Sequence, residues 1–451
     1  MHISSSYGVE IRKQNVCIRK TMDIYRQAVL YLVHILDQAW DELSLIADAK
    51  KRFNTAEHLV HTTKKNTARY DFDLRFPKMP SYLRRSAVQA ALGLISSCHT
   101  RAKGGRVVLP EKVYAMPVFY RKVMYEEGEP GSDTARIKLY DGHDWVFREI
   151  RLKHTDMEYL RRHWSGEKAS APMLEKKHKK YFLRFTFKEQ VSLTDKPADS
   201  CRICSVDLGI NTDAVCTIMD PDGTILARRF INFPGDKDRI GHVLGRIRKH
   251  QRIHGGGCRG LWRYAVRLNE QLSIKTAAQI VRFAKEHHAD VLVFEFLEMK
   301  GRVRGSKKMR LHIWRKRDVQ KRCEHMAHRS GIRISRVCAW QTSRLAYDGS
   351  GKVVRDPGNH SLCTFTNGKQ YNCDLSAAYN IGARYFIREQ IKTMPETVRS
   401  LLEAKVPAVM RRSSCVYADL LEMQKVSRQT HQTQADDCGL PDEWGYAAHA
   451  V

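Results

Sequence analysis

Apolar residues recur at helical spacing near the start of the chain. Ile24, Ala28, Leu32, Ile35 and Ala39 fall on one stripe and predict helix within residues 15–101. A second helix is expected from Ser81, where Pro80-Ser81 offers a cap for residues 82–95, with Arg84 and Arg85 on its outer face. A basic polar stretch around Lys64 and Lys65 separates the two. From Arg106 to Phe187 the pattern changes to short alternating segments, at 113–120, 137–152 and 181–187, which predict strands; Asp141-Gly142 is a hairpin signal. These read as a small β-barrel or sheet domain, its first strand drawn from the extreme N-terminus and the helical block inserted into it. Lys138, Arg148, Arg151, Lys153 and the lysines at 176, 177, 179 and 180 make its surface basic.

A third pattern starts near Cys201. A strand over 203–208, a turn at Asp220-Pro221-Asp222-Gly223 and a strand over 225–231 open it as a hairpin. Next comes a helical stretch crowded with Arg246, Arg248, Lys249, Arg252, Arg259, Arg263 and Arg267, then a helix over 276–287 and a strand over 291–296. Hairpin, helices, strand and more helices is the order of a ribonuclease-H-like α/β domain, so the fold class expected is α+β and multidomain.

Composition narrows the partners. The 451 residues include 78 Lys and Arg against 49 Asp and Glu, a formal charge of +29, with a sequence pI near 9.7. Such an excess suits a polyanion, because each neutralised phosphate releases counterions and adds affinity without regard to sequence. The apolar stretch at 29–36 contains Tyr31 and His34 and is far shorter than a membrane span. No signal peptide is visible, and twelve scattered Cys suit reduced thiols, so a cytoplasmic, non-membrane protein is expected.

Three carboxylates stand out by their settings. Asp207 closes the first strand of the third region in Cys204-Ser205-Val206-Asp207-Leu208-Gly209. Glu295 interrupts Val291-Leu292-Val293-Phe294-Glu295-Phe296-Leu297, a run apolar on both faces, where an ionised carboxylate needs a cation or an Arg beside it. Asp374 begins a helix whose Leu375, Ala378, Gly382 and Phe386 make an apolar face. For each, an ordinary reading competes: a turn cap, a buried salt bridge and a helix N-cap. If the three converge, their hard oxygen ligands suit Mg2+ or Mn2+.

The order Asp207, Glu295, Asp374 resembles the three RuvC motifs of the TnpB family and compact type V CRISPR effector nucleases. The third is the most specific: Asp374-Leu375-Ser376-Ala377-Ala378-Tyr379-Asn380-Ile381 is similar to the family's Asp-x-Asn-Ala-Ala-x-Asn-Ile, with Ser376 in place of the first Asn. The resemblance extends over residues 1–395. It implies an RNA-guided DNA endonuclease in which Asp207, Glu295 and Asp374 hold two divalent metals that activate water and stabilise the leaving oxygen. It also implies a role for Arg355 in positioning the scissile phosphate, and guide RNA and target DNA as partners, with pairing supplying sequence specificity. The expected nucleic-acid contacts are Arg84, Arg85, Arg246, Lys249, Arg252, Arg302, Arg304, Lys307, Lys308 and Arg315.

One departure matters. The family's zinc module of two Cys-x-x-Cys pairs is expected after Thr342-Ser343, yet only Cys338, Cys363 and Cys373 stand nearby, without a pair at ligand spacing. Zinc is therefore not expected. The domains implied are a wedge-like β-barrel (1–14 and 104–196), a helical recognition domain (15–103), a RuvC-like domain (197–394) with a degenerate target-nucleic-acid-binding insertion at 338–372, and a C-terminal tail (395–451), polar beyond Arg428. A guided but non-cleaving DNA-binding repressor, and an unguided RuvC-like resolvase or transposase, are the competing readings. Monomer and homodimer both stay open, as does the origin of the guide.

Overall fold

The computed structural model describes residues 1–12, 16–102, 104–129, 131–164, 170–296, 316–410 and 413–437. It divides into two compact mixed α/β units, residues 2–190 and residues 191 onward. In chain order the first comprises β1 (His2–Glu10), α1 (Val16–Asp37), α2 (Trp40–Ser44), α3 (Ala49–Val60), α4 (Phe72–Arg75), α5 (Ser81–Ala102), β2 (Tyr125–Glu127), β3 (Thr134–Tyr140), β4 (Trp145–Arg151), α6 (His154–Trp164), β5 (Met173–Lys177) and β6 (Lys180–Gln190). β1 runs antiparallel to β6 from His2–Gln190 to Glu10–Phe182, so the helices and a second sheet are threaded between two paired strands. The six strands form two antiparallel sheets, β1-β6-β5 and β2-β3-β4, with an isolated bridge between Ile11 and Leu152.

The helical stripe of α1 buries Ile18, Met22, Tyr25, Val29, Leu32 and Leu36 in one core with Leu83, Ala87, Val88, Ala91 and Ile95 of α5. The turn after β3 is set by Asp141, whose Oδ1 accepts from the N–H groups of His143 and Asp144 at 2.9 Å, while Gly142 takes φ +121°. Two expectations are corrected here. Residues 113–120 do not form a strand: Pro117 has no N–H to give a ladder, and only a bridge from Val118 to Met173 remains. Ser81 is the first helical residue rather than the cap, because the Pro80 carbonyl accepts from Leu83 and Arg84.

The second unit contains β7 (Ile203–Asp207), β8 (Ala214–Met219), β9 (Ile225–Ile231), α7 (Pro234–His254), α8 (Arg259–Glu286), β10 (Val291–Phe296), α9 (Lys316–His328), β11 (Arg333–Cys338), β12 (Val354–Arg355), β13 (Leu362–Thr364), β14 (Gln370–Asn372), α10 (Cys373–Thr393), α11 (Glu396–Lys405) and α12 (Tyr417–Asp437). Its main sheet has the order β11-β10-β7-β8-β9, with β7, β8 and β9 antiparallel and β10 and β11 parallel to β7. Alternation divides the residues between two faces. Cys204, Val206, Leu292 and Phe294 pack on α8 and α9; Ile203, Val291, Val293 and Val337 pack on α10 and the chain beyond it.

The helix expected over 276–287 is the second half of α8, which at 28 residues is about 42 Å long. Its first half packs on α7 through Ala265, Leu268 and Trp262 against Ile240, Val243, Leu244 and Ile247. Its second half, Ala277 to Ala284, packs on the sheet. The tail expected from residue 395 is also corrected. α11, α12 and the segment between them bury Leu402, Val406, Val409, Leu420 and Met423 against Ile381, Phe386 and Ile387 of α10, and α12 runs on to Asp437. Their apolar positions close one face of the sheet, which α10 covers only in part. Residues 438–451 lie outside the described residues. No helix among those described is long and apolar enough to cross a membrane.

Candidate active site

The strand register brings the first two carboxylates together. Val206 pairs with Phe294, so Asp207 and Glu295 occupy the next position on adjacent parallel strands, and alternation turns both toward α10. Each is 8% exposed. The chain turns sharply after Asp207: a Cβ on Gly209 would lie 2.6 Å from the Thr212 carbonyl oxygen, so a side chain there is excluded. That turn brings the Thr212 side chain beside Asp374, whose carboxyl it helps to hold down.

Asp374 lies in the first turn of α10, where the helix dipole favours a negative charge. It does not cap the helix, because Asn372 does, accepting from the Leu375 N–H at 2.9 Å. α10 crosses close over the sheet. The Ser205 hydroxyl donates to the Ala378 carbonyl at 2.8 Å, and a Cβ on Gly382 would meet Met219 Cε at 2.7 Å and Ser205 Oγ at 3.2 Å. Small residues at 377, 378, 382 and 383 are what permit this approach.

The electrostatics follow from crowding. Burial, then the neighbouring charges of Glu295 and Asp374, push the Asp207 carboxyl well above the ordinary carboxylate range, against the guanidinium of Arg355. Burial raises Asp374 as well, opposed by Arg355, the Thr212 hydrogen bond and Lys237. Arg355 sits exposed on β12 and donates to the Ser343 carbonyl at 3.3 Å. The structure thus brings Asp207, Glu295, Asp374 and Arg355 to one place. Among the described residues, no three Cys, His, Asp or Glu side chains stand as close as a metal cage of protein ligands alone requires.

A raised carboxyl pKa means that the folded state holds a proton which the unfolded chain releases. Stability therefore falls as pH rises from the ordinary carboxylate value through the raised one. Asp207→Asn, neutral and of equal shape, is expected to be more stable than the parent at pH 7 in EDTA, with a margin that shrinks toward pH 5. Each kcal/mol relieved corresponds to about 2–4 °C in Tm for a unit of this size. Melting curves at several pH values check this; a loss of stability, or a margin independent of pH, contradicts it.

The expected nucleic-acid contacts separate. Arg246, Lys249 and Arg252 are exposed along α7. Arg84 is a correction: only 7% exposed, it lies 3.7 Å from both Glu57 and Asp73, as the charged centre of the α3–α5 packing rather than a surface contact. Arg85 is exposed but pairs with Glu57 at 2.8 Å and lies over the Phe53 ring. Arg302, Arg304, Lys307, Lys308 and Arg315 fall outside the described residues.

The insertion is a three-stranded antiparallel sheet, β12-β13-β14. Ala346, Cys363, Phe365 and Cys373 form its core, with Tyr347 and Tyr371 packed against them. Asp348 binds the turn, accepting from the Ser350 N–H, the Ser350 hydroxyl and Asn367. Lys369 donates to the Tyr347 hydroxyl and lies over both tyrosine rings. Burial pushes the Cys363 thiol up to about 12, and Cys338 is exposed.

Four residues around the site were given no role from sequence: Thr212, Thr342, Asn380 and Arg384. The last two carried a usable signal, being polar side chains within the otherwise apolar run from Ala377 to Ile387.

A family model described as the Aq_aa04 family matches residues 5–141. No curated protein matches the sequence. Among solved structures the chain is similar to the Cas12f1–sgRNA–target DNA complex, at 14% identity over 73% of each chain with a TM-score of 0.49. It is also similar to a CRISPR–Cas12f ternary complex, at 14% identity over 81% of this chain and 80% of that one, TM-score 0.31. A third, the AacC2c1–sgRNA binary complex, shares 10% identity over 82% of this chain and 70% of that one, TM-score 0.42.

Proposed function

We propose that this chain is an RNA-guided DNA endonuclease of the compact type V and TnpB kind, cutting DNA at a single RuvC-type site. The observation that carries the reading is the convergence of Asp207, Glu295 and Asp374 at the ends of two central strands and the start of the helix across them. Their burial together with mutual repulsion is the state that a divalent cation relieves. The strand order β11-β10-β7-β8-β9 accords with a ribonuclease-H-like sheet, and the spacing of the third motif supports the assignment. The donor set fits Mg2+ or Mn2+: Mg2+ keeps several waters and takes one or two carboxylates plus substrate phosphate oxygens, and does not need a closed cage of protein ligands. When bound, such an ion lowers the pKa of water and stabilises charge on the leaving oxygen.

The chain's own residues divide the work. Asp207 and Glu295 would hold the cation from the sheet and Asp374 from the helix, and Arg355 would offer a guanidinium to a phosphate beside them. Arg246, Lys249 and Arg252 on α7 supply sequence-independent phosphate contacts. The partners proposed are a guide RNA and target DNA, the classes of molecule that the similar structures hold. Sequencing the RNA that co-purifies with the protein, then programming cleavage of a matching DNA in Mg2+, tests the reading. A discrete RNA without Mg2+-dependent cutting would instead support a guided repressor, and cutting without RNA a resolvase.

Zinc has no part in this proposal. Tyr347, Phe365 and Tyr371 supply to the insertion the core that a metal would otherwise provide. Metal analysis of purified protein is expected to find well under one zinc per chain, with cleavage insensitive to a zinc-selective chelator. Stoichiometric zinc would mean that Cys338, Cys363 and Cys373 come together as ligands.

A further inference from the structure

One helix controls the turn that follows β11. Asn380 and Arg384, a helical turn apart on α10 and 0% and 2% exposed, bind four of its carbonyls. Arg384 Nη1 donates to the carbonyls of Cys338 and Trp340, both at 2.8 Å. Asn380 Nδ2 donates to those of Thr342 and Leu345, both at 3.0 Å. Each is also anchored behind: Asn380 Oδ1 accepts from the Tyr417 N–H at 3.0 Å, and Arg384 Nε donates to the Cys415 carbonyl at 2.9 Å.

Thr342, at the centre of this turn and 2% exposed, directs its hydroxyl to Glu295 Oε1. The Ala339 carbonyl lies 3.2 Å from the same hydroxyl. A hydroxyl has one proton to give, and the carboxylate is the nearer and the charged acceptor. Gln320 Nε2 holds the backbone carbonyl of Glu295 at 2.9 Å. The backbone and one carboxylate oxygen of Glu295 are thus both held, which leaves its other oxygen a restricted direction.

We infer that Thr342 is a positioning residue for Glu295, and that the Asn380–Arg384 pair shapes the turn that places it. The inference rests on the reading above, in which Glu295 holds a divalent cation. The helix that contributes Asp374 directly then also orients a second carboxylate through this turn. A donor behind a ligand fixes its orientation and tunes its basicity, and losing such a partner typically weakens metal affinity 10–100-fold.

Thr342→Val removes the hydroxyl and keeps the branched shape; Thr342→Ser keeps the hydroxyl. Both are compared with the parent and Asp207→Ala in the guided complex over a Mn2+ titration. Half-saturating Mn2+ for cleavage is read first. The rise in Tm that Mn2+ produces with an uncleavable target is read second, and target binding without metal third. Thr342→Val is expected to raise half-saturating Mn2+ about 10-fold or more and to reduce the Mn2+-induced rise in Tm, with target binding unchanged, and Thr342→Ser to restore both. An inactive Asp207→Ala beside a Thr342→Val indistinguishable from the parent overturns the positioning role alone. Equal impairment of Val and Ser variants overturns it too, by assigning the effect to packing. An active Asp207→Ala overturns the functional reading on which the inference rests.

Discussion

Asp207→Ala and Glu295→Gln are each expected to lose Mg2+-dependent cleavage by roughly three orders of magnitude or more, the scale on which removing a group that stabilises transition-state charge acts. Guided DNA binding is expected to survive in both. The two carboxylates lie side by side on adjacent strands, where burial first and their mutual repulsion second raise the Asp207 pKa, so neither alone provides the field that a bound cation needs. They also repel phosphate, and neutralising one does not weaken the basic surfaces proposed to hold nucleic acid. Cleavage of a guide-matched duplex and filter binding of the same duplex separate the two effects. Retained cleavage in either variant would remove the proposed site.

The second large effect concerns folding. Arg384→Met keeps most of the side-chain volume but withdraws a charged donor from three carbonyls, those of Cys338, Trp340 and Cys415, the last in a fully buried bond. Hydrogen bonds from charged groups contribute about 1.5–3 kcal/mol each, and the Cys415 carbonyl is left dry while water can reach the other two, so a loss on the order of 3–5 kcal/mol is expected. Arg384 is itself under strain from burial, which pushes its pKa down, and its Nη2 makes no hydrogen bond among the described residues. The negative field of nearby Glu295 opposes that shift. Urea unfolding of the unit beginning at residue 191 checks the expectation through its midpoint. A change below about 1 kcal/mol would mean that the apolar replacement compensates for the lost donor.

Much of the local architecture was legible without coordinates. The period of 3.6 in α1, the continuous apolar run of β10 and the turn at Asp220–Gly223 are properties of neighbouring residues, which a single chain exposes directly; the hairpin expected between 203–208 and 225–231 is corrected, because β8 lies between those strands and pairs with both. Glu295 stood out for the same reason, as a charge in a strand with no exposed face. Arg84 was misplaced because helical spacing locates a residue on a face but does not say what covers that face; Glu57 and Asp73 arrive from α3 and α4. The chain beyond residue 395 was misread alike: Leu402, Val406 and Leu420 become core only because α10 leaves part of the sheet uncovered. The meeting of Asp207, Glu295, Asp374 and Arg355 depends on parallel register, on a helix allowed close by Gly382, and on a turn held by Asn380 and Arg384. Spacing along a chain encodes what each residue faces within its own element; which elements meet, and so which charges share one buried volume, is decided by packing between segments far apart in sequence.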